Sequence, residues 1–347
     1  MGSPWEEVFD HQVDLFTFWG TPSGQRLAEA YIQSVVDANP GDEAQVRSIF
    51  GPLDTRARWL LMGADPIWVS PDMMTLIEGA AKTFQPEPLQ ETDLITPQGF
   101  MYLSRPLWMT DIHGMRMSYR AIAWRTVNYD FGWEPEGPQD YPHPKPGLLV
   151  HLYHDPIRDP DEIDQKTGES GKSAIRVIGA QSGGLVITHI TPWVFGESYP
   201  DAENETNRLA VAADQHGDYH YQEHEAVGLG ALARHVQVIW RLMSQTITVR
   251  SQARPPRAAR KRYARAGFPD KHVVVVTLRR AHEGSYQERG DGEPVEWSHR
   301  WVVSGHWRNQ WFPSLSAHRQ VWISPYIKGP EDAPLVIRPL RAFKFSR

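Results

Sequence analysis

The chain has 347 residues, a net charge of −6, 40% hydrophobic residues and no cysteine. That composition belongs to a folded globular chain rather than a disordered or fibrous one, and without thiols it excludes disulfide scaffolds, iron–sulfur clusters, thiolate zinc sites and cysteine nucleophiles. No run of 18 apolar residues is present, so no spanning helix is expected. The opening residues Met1 to Glu7 lack the basic and apolar stretches of a secretory signal, and we expect a cytoplasmic protein that makes no membrane contact.

The first hundred residues read as helical. Thr21-Pro22 is a cap followed by a proline at the first helical position, and Leu27, Ala28, Tyr31, Ile32 and Val35 then recur at helical spacing. Asp42 to Phe50 and Leu53 to Met62 read as two short helices broken by Gly51-Pro52. Ser70-Pro71-Asp72 is a stronger start: a cap, a proline, and an acid near the positive helix end. Met73, Leu76, Ile77, Ala80 and Phe84 follow on one face until Gln85-Pro86-Glu87-Pro88 stops the helix.

From Gly99 the pattern turns to strands. Met117 to Val127 alternates, and Gly147 to Tyr153 is a continuous apolar strand. Ile175 to Ile178 and Leu185 to Ile187 flank Ser182-Gly183-Gly184 in the manner of a hairpin with a glycine turn. Glu223 to Val249 reads as one long helix, with Leu232, Val236, Ile239, Trp240, Met243 and Ile247 stepping by three and four. Arg254-Pro255-Pro256-Arg257 breaks it. A second helix over Arg257 to Arg265 ends at Gly267-Phe268-Pro269. Strands resume at Val273 to Leu278, Trp301 to Val303 and Val321 to Ile323. The expected class is α+β: a helical amino-terminal part, a mixed middle region, and a long helix leading to a small antiparallel carboxyl-terminal sheet. The regions are bounded at 1–98, 99–222 and 223–347.

Charge is unevenly spread. Between Arg250 and Lys271 eight Lys/Arg face one acid, Asp270. A second stretch, Trp297 to Pro330, contains no acid and holds Arg300, Arg308, Arg319 and Lys328. Basic segments on an acidic chain either pair internally or attract polyanions.

Four motifs bear on chemistry. Lys166 to Ser173 looks like a phosphate-binding loop, but Lys166 stands where the pattern needs glycine, so a surface loop is expected. Asp155, Asp159, Asp161, Glu162 and Asp164 form an acidic cluster without calcium-loop spacing, and a solvated loop is expected there. His220-Tyr221-Gln222-Glu223-His224 matches H-x-x-E-H; on a helix both imidazoles could hold zinc while Glu223 activates water, with Glu293 or Glu296 as third ligand. This makes a zinc-dependent hydrolase an alternative, although we expect no metal and no cofactor. The fourth stretch, Trp297 to Pro330, carries five of the fourteen tryptophans interleaved with His299, His306, His318, Arg300, Arg308 and Arg319. Aromatic planes beside guanidinium groups suit unpaired bases and phosphates, and they equally suit cation–π packing within the protein.

Within this last stretch Ser304-Gly305-His306-Trp307-Arg308-Asn309-Gln310, then His318-Arg319, then Val321 to Glu331, resembles uncharacterised proteins of actinobacteria and their phages. Ala64 to Ser70 and Thr96 to Phe100 are similar to the same group. The resemblance implies a phage or mobile-element setting and brings no activity with it.

The sequence therefore points to a nucleic-acid-associated protein directed at RNA or a single strand. Arg257, Arg260, Lys261, Arg262, Arg265, Trp307 and Arg319 are the candidate nucleic-acid contacts. His306, Arg308 and His318 are the candidate catalytic set for metal-independent, nuclease-like acid–base cleavage. A second alternative is a protein-interaction or regulatory factor whose basic segment docks an acidic partner. Whether the chain is an enzyme at all stays open at this point.

Overall fold

The computed structural model describes residues 4–38, 41, 43–110, 116–129, 145–159, 178–197, 205–213, 219–279, 299–330 and 334–336. The amino-terminal part is helical: α1 (Glu7–Trp19), α2 (Pro22–Ala38), α3 (Glu43–Phe50) and α4 (Leu53–Gly63). Strand β1 (Asp65–Val69) leads directly into α5 (Pro71–Ala81), where the Ser70 hydroxyl accepts a bond from the Met73 amide and Pro71 opens the first turn. Strands β2 (Gln98–Thr110), β3 (Arg116–Tyr129), β4 (Lys145–His154) and β5 (Val186–Val194) follow. After β6 (Glu205–Ala213) and β7 (Tyr219–Gly228) come α6 (Leu229–Met243), β8 (Thr248–Ala253), α7 (Arg257–Ala266) and β9 (Val273–Leu278). The carboxyl-terminal strands are β10 (Arg300–Val303), β11 (His306–Phe312), β12 (Ala317–Ile323), β13 (Tyr326–Lys328) and β14 (Leu335–Val336).

The class is α+β. A seven-stranded sheet runs in the order β5-β4-β3-β2-β1-β9-β8. β1 lies parallel to both β2 and β9, and the other neighbours are antiparallel. All three regions bounded in the sequence contribute strands to this one sheet. Short strands linked by turns favour antiparallel pairing over a doubly wound sheet. The exception arises because α5 carries the chain back across the sheet, making β1-α5-β2 a crossover unit that requires parallel strands.

Both sheet faces are covered, and the side-chain alternation of the strands records it. Phe100 and Tyr102 of β2 and Ala121 and Ala123 of β3 pack under α1, α2, α4 and α7. Met101 and Leu103, Ile122 and Trp124, and Leu148, Val150 and Leu152 pack under α5 and α6. Trp124, Trp193 and Trp240 meet edge to face in this second layer, with centroids 5.4 and 6.1 Å apart.

Two expectations need correction. The long helix begins only at Leu229, since residues 219–228 form strand β7, and it ends at Met243 before the β8 strand. Tyr219, Tyr221 and Val227 favour a strand, and pairing with β6 overrides the downstream helical periodicity. The hairpin expected around Ser182-Gly183-Gly184 also differs: Ile175 to Val177 lie outside the described residues, residues 178–182 are helical, and residues 186–194 form strand β5. The Ser182 hydroxyl donates to the Ile178 carbonyl in that turn, and Gly183 and Gly184 take positive φ to leave it.

Candidate nucleic-acid interface

The basic segment is helix α7. Pro256 precedes it in extended conformation, and Gly267 ends it at φ +81°, a left-handed position that glycine reaches without strain. The Gly267 amide donates to Ala264 and the Phe268 amide to Tyr263, closing the last turn. Phe268 then packs on Tyr263 and Phe16, with centroids 4.7 and 4.9 Å apart. Ala259 and Tyr263 are buried against the amino-terminal helices, and the Tyr263 hydroxyl donates to Gln12. The Gln12 amide in turn donates to the Leu61 and Ala64 carbonyls at 2.6 and 3.0 Å. One side of α7 is thereby fixed.

The five cations of α7 divide by face. Arg262 lies on the inner side and is spent on Asp10 and Asp14 of α1, so it is a structural ion pair rather than a phosphate contact. That pairing of the basic segment with the acidic half corrects the role expected for Arg262. Arg260 is half-buried. Arg257, Lys261 and Arg265 are exposed, and among the described residues none of the three has an acidic partner. They recur every four residues, so they form one row about 12 Å long on the outer face. Arg250 on β8, the exposed edge strand of the sheet, and Arg254 in the connection to α7 are also exposed.

The carboxyl-terminal set is arranged differently from the expectation. β11 and β12 form a hairpin in which His306 opposes Ile323 and His318 opposes Trp311. Five register steps separate the two histidines, roughly 17 Å of strand, and the odd spacing puts them on opposite faces. They cannot serve one bond as acid and base, which removes the catalytic set His306, Arg308 and His318. The Nδ1 proton of His306 is directed at the Ser304 carbonyl at 3.0 Å. Arg308 is exposed and donates to Gln310 at 2.9 Å. Trp307 is a packing residue: its indole donates to the Ala80 carbonyl at 2.9 Å, and its ring meets Phe84 and Trp322. Arg319 is bound to Asp93, a carboxylate that also pairs with Arg241. Neither Trp307 nor Arg319 is available to a nucleic acid.

The H-x-x-E-H motif falls on β7. Four residues along a strand span about 13 Å, against about 6 Å along a helix, so the helical placement on which its zinc chemistry depends is missing. Among the described residues no three His, Asp or Glu side chains converge as a metal site. Lys166 to Ser173, Asp161, Glu162, Asp164, Glu293 and Glu296 lie outside the described residues.

A polar cluster that the sequence did not announce sits where β4 ends. Arg120 of β3 forms a two-bonded fork with Asp159, Nε and Nη2 reaching the two carboxylate oxygens at 2.7 and 2.6 Å. The Ser118 hydroxyl donates to the Asp159 carbonyl at 3.0 Å, so it accepts from the Nδ1 proton of His154 at 2.8 Å. Asp155 accepts from the Ile157 and Arg158 amides. Asp155 and Asp159, expected in a solvated loop, are both buried. Beside them Glu7 of α1 meets Arg158 at 2.9 Å and the Tyr102 hydroxyl at 3.1 Å, and His11 stacks on Tyr102. His11, whose Nε2 lies 3.9 Å from the carboxylate, and then Arg158 draw the Glu7 carboxyl down to about 2 against its desolvation. Burial, and then the Glu7 charge, push the Tyr102 phenol far up. Neither group changes protonation near neutrality, as an acid–base catalyst must. The cluster is an ion-pair network that pins the chain after β4.

The comparisons were made against protein-family models, characterised proteins and solved structures. The chain matches none of them. Among the described residues no helix is long and apolar enough to cross a membrane.

Proposed function

We propose that this chain is a cytoplasmic protein that binds nucleic acid through the phosphate backbone, using the outer row of α7. The observation that carries the proposal is the exposure of Arg257, Lys261 and Arg265 at four-residue spacing, with no acidic partner among the described residues. Like charges at that spacing destabilise a helix by about 0.2–0.5 kcal/mol per pair. Arg257 also stands in the first turn, where the helix dipole disfavours a cation. A bound polyanion relieves both penalties. The opposite side of the helix is held by Tyr263 and Arg262, so the row is presented from a rigid support.

Phosphate binding releases counterions, so affinity for a single-stranded 20-mer should fall with salt by about 0.7 log units per log unit of salt for each contact. Replacing Arg257, Lys261 and Arg265 together with glutamine should reduce that slope by about 2. The melting temperature should hold or rise. Salt-independent binding by the parent protein, or an unchanged slope in the triple variant, would refute the proposal.

A further inference from the structure

Strand β8 is an edge of the seven-stranded sheet, and among the described residues it pairs with β9 alone. Its side chains divide by face. Thr248 points into the layer of α5 and α6, where its hydroxyl donates to the Leu242 carbonyl at 2.6 Å and lies 3.8 Å from the Met73 sulfur. Arg250 is two residues further on, so it leaves the strand on that same face. The ladder agrees: Arg250 stands opposite Val276, which is buried in the α5 and α6 layer. Ala253 has the other parity and packs with its partner Val273 in the layer that contains α7. Arg250 and the row Arg257, Lys261 and Arg265 therefore belong to opposite faces of the sheet, with the edge strand between them.

Arg254 stands at the crossing point. It follows the last residue of β8 and precedes Pro255-Pro256, where the chain passes over to α7. Arg250 and Arg254 are both exposed, and neither has an ionic partner among the described residues. Val249 to Gln252 are exposed whichever face they belong to, so this length of the edge is open. Charge on an open edge has a plain use, since it deters pairing with a second sheet. That accounts for Arg250 alone. Arg254 lies beyond the strand, where there is no ladder to protect, and it joins Arg250 to the α7 row. A polyanion that follows all five cations has to turn from one sheet face to the other over the length of one strand and one short helix. A duplex, with a persistence length of about 150 bp, resists such a turn. A single strand rotates about its backbone bonds at every nucleotide and makes it readily.

We infer that the ligand of α7 is a single strand that rounds the open edge of the sheet, with Arg254 and Arg250 taking its next phosphates. This rests on the phosphate binding proposed for α7 and adds the strandedness of the ligand and two contacts. Arg250 is separated from the α7 row by the sheet itself, so the two contributions can be removed separately.

The test measures the salt dependence of binding to an unstructured single-stranded 20-mer and to a duplex of equal length. It compares the full-length parent, Arg250→Gln, Arg250→Lys and the triple glutamine variant of Arg257, Lys261 and Arg265. Arg250→Gln should flatten the single-strand slope by about 0.7, the share of one phosphate contact, and leave the duplex slope unchanged. Adding Arg254→Gln should bring the flattening on the single strand to about 1.4. Arg250→Lys keeps the charge and should keep the slope. All these variants should melt with the parent because the side chains are exposed. An unchanged single-strand slope in Arg250→Gln, with the triple variant still flattened, overturns the inference and leaves phosphate binding by α7 intact. New self-association of Arg250→Gln in sedimentation, with that unchanged slope, would assign the arginine to guarding the edge instead. Equal flattening on single strand and duplex also overturns the inference. A parent that binds neither nucleic acid at low salt overturns both readings.

Discussion

Arg120→Met should be among the most damaging single changes in the chain. The β2–β3 ladder slips between Tyr102 and Leu107, opposite Arg120, and Pro106 within the slip has no amide to offer a neighbour. The guanidinium fills the gap: Nη1 donates to the Leu103 and Ser104 carbonyls at 3.3 and 2.9 Å while Nε and Nη2 hold Asp159. The pair is nine-tenths buried, with side-chain exposures of 9% and 10%. Removing one partner of such a pair costs about 3–5 kcal/mol, because the other charge stays buried and uncompensated. With a urea m-value of roughly 3–4 kcal/mol/M, above the 1–3 of small proteins, the midpoint should fall by about 1 M. Asp159→Leu added to Arg120→Met should restore part of that loss, since the stranded carboxylate is gone and only the two carbonyls remain unpaired. Equilibrium urea unfolding followed by tryptophan fluorescence measures both. A midpoint within 0.2 M or so of the parent for Arg120→Met would show that the fork does not hold the loop.

Three further outcomes follow from the same packing. Glu7 is ionised in the folded chain down to about pH 2, whereas its ordinary value is 4.5, so its contribution is complete above pH 4.5 and is lost as pH falls toward 2. Glu7→Gln should flatten the acid limb of stability in that window, and an unchanged limb would contradict the His11 and Arg158 contacts. Burial, with Arg125 adding to it, holds the His151 imidazole near 3 rather than 6.5. The unfolded chain therefore takes up that proton first, and stability should fall as pH drops from 6.5 toward 3, by up to about 1.4 kcal/mol per pH unit. His151→Leu should make urea midpoints over that range less pH-dependent. Gly24 sits where α2 crosses the end of α1, and a Cβ there would come within 2.2 Å of the Phe18 carbonyl oxygen and 2.8 Å of the Trp19 Cα. Gly24→Ala should cost at least about 1–3 kcal/mol in thermal unfolding, as overpacking against backbone does.

What could be read from the residues was local. Ser70-Pro71-Asp72 and Gly267-Phe268 marked helix ends because caps and left-handed glycines act within a few residues. The exposed row of α7 was visible as charge, and so was the choice between internal pairing and a polyanion partner; internal pairing takes one side of the helix, through Arg262, and the other side stays exposed. What escaped was long-range. Arg319 meets Asp93 across 226 positions and Trp307 meets Ala80 across 227, and no spacing rule reaches that far. The two hairpin histidines looked close in sequence, yet antiparallel register moved them apart by five steps. Arg120 read as one polar residue in an alternating strand, because the slip in the facing strand that it fills leaves no trace in its own segment. His220 and His224 had helical spacing but strand surroundings, and pairing with β6 decided the matter.

The position of β1 also sets a timetable for synthesis. β1 is a central strand, but one of its two neighbours, β9, follows it by about 200 residues of chain. At about 5–20 residues per second a ribosome needs roughly 10–40 s to supply that neighbour. During that interval the Ile67-Trp68-Val69 edge can pair with β2 on one side only, and β9, which covers the other side, arrives together with β8 and α7. A growing chain of this protein thus carries an open, apolar strand edge for most of its time on the ribosome, the kind of surface that chaperones protect.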